Sequence, residues 1–320
     1  FFIESFLLVV KFSFQGFNRM TLFAGIDIVR MVVVLSTILI GFELSYGLAS
    51  PVMAYIIAPI ILTFVFGLIL IKKVFPKFLK SELIFSKNLF KRIFRYGIFV
   101  MAAGAGTLIF GYTDIMVLTY FSGLTAVALY SVALPTTKIL IYFPRAIVAI
   151  LVPLTSELWA KKKKEILREG MELLYKYLFI VMLPLALVMF SFADIIINVL
   201  FGKNYMPASG AMKILSVGMI FAAINGICSN FFSGIGKPQI ASKIIYSGAI
   251  FNLVSNLVVI PIFGIIGAAM TTTLSYGIMM LMGLLDINKF ITVRFPIMIW
   301  IKTLTAGLIF TIVIWLLKKV

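Results

Sequence analysis

The sequence contains no histidine and only one cysteine, Cys228. Without histidine the chain has no His-based zinc site, no Ser-His catalytic triad and no histidine proton relay. A single cysteine excludes an intrachain disulfide. The segment Gly234-Ile-Gly-Lys237-Pro238 lacks both the spacing of a phosphate-binding loop and its Ser/Thr after the lysine, so no ATP site is predicted. We therefore predict no catalytic residues, no metal site and no cofactor.

Charged residues are also scarce. They make up 12% of the chain, about half of the usual share in soluble domains, whereas 62% of the residues are hydrophobic and the mean hydropathy is +1.16. This composition excludes a soluble globular protein. The 28 Lys and Arg against 11 Asp and Glu give a net charge of +17. In so apolar a chain, a basic excess indicates loops that face the cytoplasm and anionic membrane lipids, not nucleic acid.

Long apolar runs predict an all-α integral membrane protein with about ten transmembrane helices. A helix needs about 20 apolar residues to cross the hydrocarbon core. Nine segments meet this length, and a partial one precedes them. The segments are 1–10 (partial), 21–40, 51–71, 96–118, 125–153, 175–197, 212–235, 239–260, 264–285 and 296–317. We predict a multi-pass protein of the cell (cytoplasmic) membrane.

The distribution of Lys and Arg predicts the orientation. Counted with the adjoining helix ends, 21 fall on the connections after the odd-numbered helices and 4 on the other side, which places the first set in the cytoplasm. In the richest connection, Lys87, Lys91 and Arg95 recur every four residues among apolar side chains. This spacing is typical of an amphipathic helix on the membrane surface. The alternative is a solvated basic loop that only sets the topology.

An internal repeat predicts two related lobes. The segment Gly16-Phe-Asn-Arg19 matches Gly234-Ile-Gly-Lys237 at an offset of 218, and Gly47 matches Gly264, with similar residues after each, at an offset of 217. The offset spans six helices, so both copies share one orientation, as in parallel transporter repeats with a substrate cavity between the halves. The predicted divisions are the end of a truncated first lobe, a basic cytoplasmic linker with an interfacial helix, a six-helix second lobe and one additional transmembrane helix. They cover residues 1–71, 72–95, 96–288 and 289–320.

Several motifs resemble one known family, the polysaccharide flippases of the multidrug/oligosaccharidyl-lipid/polysaccharide exporter superfamily. The resembling segments are Tyr112-Thr-Asp-Ile-Met-Val-Leu118, Val127-Ala-Leu-Tyr-Ser-Val-Ala133, Leu200-Phe-Gly-Lys-Asn-Tyr205, Gly234–Pro238 and the stretch from Asn252 to Ala269. The resemblance implies a two-lobed bundle of six-helix repeats. It also implies a function in moving lipid-linked oligosaccharides across the cytoplasmic membrane, with glycan-assembly enzymes as candidate partners. Members of this family have twelve or fourteen helices, so the chain looks like a fragment.

Buried charges are the candidate substrate-binding residues, because charge inside the hydrocarbon core costs roughly 2.5–3.5 kcal/mol on insertion scales. Lys138 lies near the middle of the fifth predicted helix, and Arg145 follows two turns later on the same face. They predict a basic ladder that contacts the pyrophosphate or acidic sugars of a lipid-linked glycan. The alternative is that Arg145 extends toward the cytoplasm, or that both pair with carboxylates of other helices.

Polar residues on other helices complete the candidate set. Asp27 and Arg30 are one turn apart, and they form either a neutral i,i+3 pair or a switch in which cargo releases Arg30. Asn252 and Asn256 either contact sugar hydroxyls or hydrogen-bond between helices. Asp114, near the outer end of its helix, is expected at the membrane interface in a structural role, with a proton or sodium site as the alternative.

These features together predict a flippase that moves an anionic lipid-linked oligosaccharide by alternating access for polysaccharide biosynthesis. One alternative is a cation-coupled multidrug exporter of the same superfamily, but the charges predicted within the membrane are mostly basic. The other is a membrane glycosyltransferase or polymerase. That alternative is disfavoured because the longest outer connection, residues 198–211, contains no acidic residue.

Overall fold

The computed structural model describes residues 2–76 and 86–317, and all regular secondary structure within these ranges is helical. A π-helical turn, Leu70–Val74, extends α3, and a 3₁₀ turn, Lys203–Tyr205, follows α6. The α-helices of the described ranges are α1 (Phe2–Gly16), α2 (Met20–Glu43), α3 (Ala49–Ile69), α4 (Lys87–Ala160), α5 (Lys164–Ser191), α6 (Ala193–Phe201), α7 (Ala208–Gly234), α8 (Pro238–Ile287) and α9 (Ile297–Leu317).

Within the described ranges, seven helical stretches are long and apolar enough to cross a membrane, and two of them are far longer than one crossing needs. These two, Lys87–Arg145 and Pro238–Ile287, contain 59 and 50 residues, whereas about 20 suffice. Each is broken at a glycine with positive φ, Gly123 (φ 78°) in α4 and Gly264 (φ 54°) in α8. The halves 87–122 and 124–160, and 238–263 and 265–287, therefore correspond to separate predicted spans. The predicted all-α, multi-pass membrane fold is confirmed.

The chain forms two compact units, and the first comprises Phe1–Ser86. Side chains of α1, α2 and α3 form its small apolar core, which consists of Leu7, Phe14, Ile26, Leu62 and Phe66. The helices α2 and α3 approach closely at their connection, where a Cβ added to Gly41 would lie 2.6 Å from the Ser50 hydroxyl oxygen. Most large apolar side chains of α2 are exposed, as expected for a helix that faces lipid.

The second unit, Lys87–Val320, is built around α7. Two thirds of the most apolar stretch of α7 is buried, whereas none of that of α9 is. Small residues permit this burial, because a Cβ added to Gly218 would lie 2.7 Å from the Thr273 hydroxyl oxygen and one added to Gly234 would lie 2.7 Å from Thr155 Cβ. Close approach at small residues is the usual basis of helix packing in membranes.

Two segments differ from the sequence prediction. The predicted helix 175–197 is divided at Phe192 into α5 and α6. Asp194 lies in the first turn of α6 and pairs with Lys213 at 2.9 Å, an arrangement that favours a new helix start because an acidic group stabilises the N-terminal dipole. The predicted surface helix also differs, since residues 87–95 form the first turns of the continuous helix α4. Residues 77–85 of the predicted linker lie outside the described ranges, and the predicted division into domains remains a prediction.

The turns at the matched repeat positions have the same backbone geometry. Asn18 and Gly236, which are 218 residues apart, have φ values of 56° and 75°. In both turns the next residue donates its N–H to the carbonyl five residues earlier, which is the Schellman arrangement of a helix end. The second matched pair, Gly47 and Gly264, has φ values of 51° and 54°. The backbone therefore supports the repeat found in the sequence.

Candidate functional site

The two predicted cations of α4 form no ion pair with any residue of the ranges 2–76 and 86–317. Lys138 is half-buried and Arg145 is exposed, and both lie on the helical half 124–160. Among the residues that the structure describes, no carboxylate lies within ion-pair distance of either. The charges that act on Lys138 are those of Asp114 and Arg145. The Arg145 guanidinium lies 4.6 Å from the centre of the Tyr142 ring, so it has a cation–π contact on its own helix.

Asp27 and Arg30 do not pair with each other, and this alternative of the sequence analysis is wrong. The Lys11 ammonium of α1 donates to both carboxylate oxygens of Asp27, at 2.6 and 2.7 Å. Arg30 donates to Glu4 of α1 at 2.7 Å. The i,i+3 pair does not form because α1 supplies a partner of opposite sign to each residue. The two ion pairs join α1 to α2, and all four of their residues belong to the unit Phe1–Ser86.

Asp114 is the centre of a buried polar network in the second unit. Its side chain is 1% exposed, so protein encloses it, and its position at the membrane interface remains a prediction. The Tyr130 hydroxyl and the Thr272 hydroxyl each donate to Asp114 Oδ2 at 2.6 Å, and Asn256 Nδ2 donates to Oδ1 at 2.7 Å. Asn252 Nδ2 donates to the Thr272 oxygen at 3.3 Å. Three donors thus replace water around the carboxylate.

The residues of the network lie at the same level along the helix axes because the two glycine breaks set their distances from the turns. Asp114 is nine residues before Gly123 and Tyr130 is seven residues after it, while Asn256 is eight residues before Gly264. In a helical pair that folds back at a turn, residues equally far from the turn lie at the same level. The breaks themselves are adjacent, since a Cβ at Gly264 would lie 4.0 Å from the Ser122 hydroxyl oxygen. Four half-helices therefore bring their polar residues together.

Comparisons with known proteins agree with this architecture. The MatE family model matches residues 100–258, and the model described as polysaccharide biosynthesis protein matches residues 2–159. The membrane protein MJ1068 of Methanocaldococcus jannaschii is 39% identical over 99% of this chain, which covers 63% of that protein. Over nearly its whole length the chain is similar to proteins of the MOP superfamily of membrane transporters. MOP stands for multidrug/oligosaccharidyl-lipid/polysaccharide exporter.

Other similar proteins include flippases and a MATE structure. The probable low-salt glycan biosynthesis flippase Agl15 of Haloferax volcanii is 23% identical over 80% of this chain, which covers 53% of Agl15. A structure of MATE in complex with MaL6 has a TM-score of 0.73 at 16% identity, covering 90% of this chain and 67% of that one. The lipid II flippase MurJ, in an inward closed conformation, has a TM-score of 0.62 at 18% identity, covering 89% and 59%. These families are transporters and not enzymes, in agreement with the sequence prediction. The chain covers between 53% and 67% of the length of these relatives.

In this chain, Asn252 and Asn256 are both 0% exposed. Their amides are used within the network, and the Thr271 hydroxyl donates to the Asn256 side-chain oxygen. The geometry therefore favours the interhelical hydrogen-bond alternative over sugar contact for these two residues. The sequence analysis missed Thr271 and Thr272 as partners of the two asparagines, and Tyr130 as a partner of Asp114. A sequence pattern could have identified these three residues, because each lies seven or eight residues after a glycine that breaks a helix.

Proposed function

We propose that the chain is part of a flippase that moves an anionic lipid-linked oligosaccharide across the cytoplasmic membrane for polysaccharide biosynthesis by alternating access. In this proposal Lys138 and Arg145 contact the phosphates or acidic sugars of the headgroup, while the lipid tail stays in or near the bilayer. Arg30 and Asp27, in the first lobe, are proposed to contact the cargo when it displaces their ion-pair partners on α1, Glu4 and Lys11. The glycan-assembly enzymes that supply the cargo are the proposed partners.

The observation that carries the proposal is the unpaired state of the two cations in α4. A cation within a membrane-spanning helix is costly unless it meets water or an anion, and neither Lys138 nor Arg145 has a carboxylate within ion-pair distance among the described residues. They are seven residues apart, which is roughly 10 Å along a helix. This spacing suits two successive positions of one moving phosphate. Arginine adds a planar fork that binds two phosphate oxygens, whereas lysine supplies a point charge.

The membrane potential supports the direction of transport. With the cell interior negative, moving an anion outward is favourable by about 2.3 kcal/mol per charge per 100 mV. This contribution requires no nucleotide hydrolysis. The similarity to Agl15, a probable glycan biosynthesis flippase, gives further support to a lipid-linked glycan as the cargo class.

The test uses the protein reconstituted in liposomes with a fluorescent lipid-linked oligosaccharide that carries a pyrophosphate. Flipping is measured as the fraction of fluorophore that becomes accessible to a membrane-impermeant quencher. We expect Lys138→Ala and Arg145→Ala each to lower the initial rate at least tenfold, because each removes one contact with the moving anion. A matched control is Lys203→Ala, which removes one exposed cation of the 3₁₀ turn Lys203–Tyr205.

The control is expected to retain the rate of the unmodified protein. Equal protein levels and equal thermal stability of all three variants in detergent ensure that the comparison concerns transport. Retained flipping in both α4 variants would refute the role of the two cations as a basic ladder.

A cation-coupled multidrug exporter is a second candidate function. The MatE model and the MATE fold similarity favour it. The same liposomes distinguish the two functions, since an exporter accumulates a fluorescent organic cation when an ion gradient is applied. In that case neutralising Lys138 raises the uptake of the cation, because a like charge is removed from its path.

A further inference from the structure

The second unit contains a basic cavity that the proposed function does not use. Its volume is about 730 Å³, within the usual range of small-molecule sites. Four stretches of the unit form its walls: the first turns of α4, the last turns of α4, the end of α7 and the start of α8. The polar side chains that line it include Lys91, Arg92, Arg95, Ser156 and Gln239.

Contacts made by residues that line the cavity hold its walls in place. The Tyr96 hydroxyl donates to the Ser233 carbonyl at 3.0 Å, and the Ser242 hydroxyl donates to the Phe99 carbonyl at 2.5 Å. Two turns beyond Phe99 along α4, Gly106 lies against Ile245 of α8. The first turns of α4 precede these contacts. The cavity therefore lies where the first turns of α4 are separated from the end of α7 and the start of α8.

The charge of the cavity is positive. Among residues 2–76 and 86–317, no acidic residue lines the cavity, and no carboxylate forms an ion pair with Lys91, Arg92 or Arg95. The first turn of α8, which contains Pro238 and Gln239, also lies in the wall, so the positive end of a helix dipole adds to the three side chains. All four wall segments lie at helix ends that the Lys and Arg distribution places in the cytoplasm.

The remaining wall is apolar, which distinguishes the cavity from a site for a free anion. Leu89, Ile93, Phe99 and Val152 contribute to it. An inorganic phosphate would gain nothing from these side chains, whereas a membrane lipid would place its glycerol and the first carbons of its chains against them. We propose that this cavity binds the anionic phosphate headgroup of a lipid of the cytoplasmic leaflet. Basic pockets between transmembrane helices are suited to such headgroups. The proposal is independent of the transported cargo.

The test measures lipid binding to the full chain in a non-ionic detergent by native mass spectrometry. The probes are dioctanoyl phosphatidylglycerol, dioctanoyl phosphatidylcholine and inorganic pyrophosphate. We expect the anionic lipid to bind at least tenfold more tightly than the zwitterionic one. The variant Arg92→Gln with Arg95→Gln is expected to lower that affinity roughly thirtyfold, from the usual contribution of two basic residues near an anionic headgroup.

A matched control removes the same charge elsewhere on the predicted cytoplasmic side. Lys162→Gln with Lys163→Gln changes two exposed lysines that do not line the cavity, and it is expected to retain the affinity for the anionic lipid. A third variant, Ser156→Phe, fills the cavity without changing its charge and is expected to abolish the tight binding.

The proposal is overturned if the arginine variant binds the anionic lipid as the unmodified protein does, or if the lysine control loses as much affinity. Tight binding of pyrophosphate that depends on Arg92 and Arg95 would assign the cavity to a soluble phosphate compound instead of a lipid. Unchanged thermal unfolding of each variant without lipid shows that a lost affinity is not a loss of folding.

Discussion

Replacing Asp114 with alanine tests the network that joins the two broken helices. The change removes three hydrogen bonds, from Tyr130, Thr272 and Asn256, and leaves three buried donors without their acceptor. Hydrogen bonds between membrane helices contribute about 0.6 kcal/mol on average and up to about 1.7, and those to charged groups about 1.5–3. We therefore expect Asp114→Ala to lower the free energy of unfolding by about 2–5 kcal/mol.

The assay is reversible unfolding in mixed micelles, followed by the helical circular dichroism signal as the denaturing detergent is increased. The control is Thr113→Val at the neighbouring position. Thr113 is 5% exposed, and its hydroxyl donates only to the Ile109 carbonyl of its own helix, so its loss is expected to cost less than about 1 kcal/mol. If Asp114→Ala costs no more than Thr113→Val, the network does not stabilise the unit and the reasoning is refuted.

Two further changes test the backbone of the second unit and the charge pairs of the first. We expect Gly264→Ala to lower the unfolding free energy by about 1–3 kcal/mol, because its φ of 54° with ψ of −130° is a glycine conformation. The helical Gly111, with open space around it, serves as the control position, and an equal cost there would contradict the expectation. Glu4→Gln is expected to cost about 1 kcal/mol or less in the same assay, because the Arg30 pair is partly exposed. A loss above about 3 kcal/mol would show that this pair is effectively buried.

The sequence predicts the membrane helices well because their signal is local. Apolar length identifies each span, and the glycines at 123 and 264 separate pairs of spans that are continuous in hydropathy. The repeat was also readable, since a turn with positive φ restricts the residue types that it accepts. Asn18 and Gly236 are two solutions to the same backbone requirement.

The partners of the charged residues were not predictable from spacing within one helix. Asp27 and Arg30 are correctly spaced for a pair on α2, yet each pairs with a side chain of α1. The enclosure of Asp114 was not predicted for the same reason, because its burial depends on three other half-helices. A local pattern identifies which face a residue occupies, whereas its partner is determined by the packing of helices that are distant in sequence.

The adjacent glycine breaks have a mechanical consequence for the second unit. At that end, four half-helices are fastened to one another by the Asp114 network and by the contact of the two turns. At the opposite end, three of these half-helices and the end of α7 enclose a cavity of about 730 Å³. We therefore expect a hinge motion of this unit about Gly123 and Gly264. The largest displacement is expected at the helix ends that carry Arg92 and Arg95.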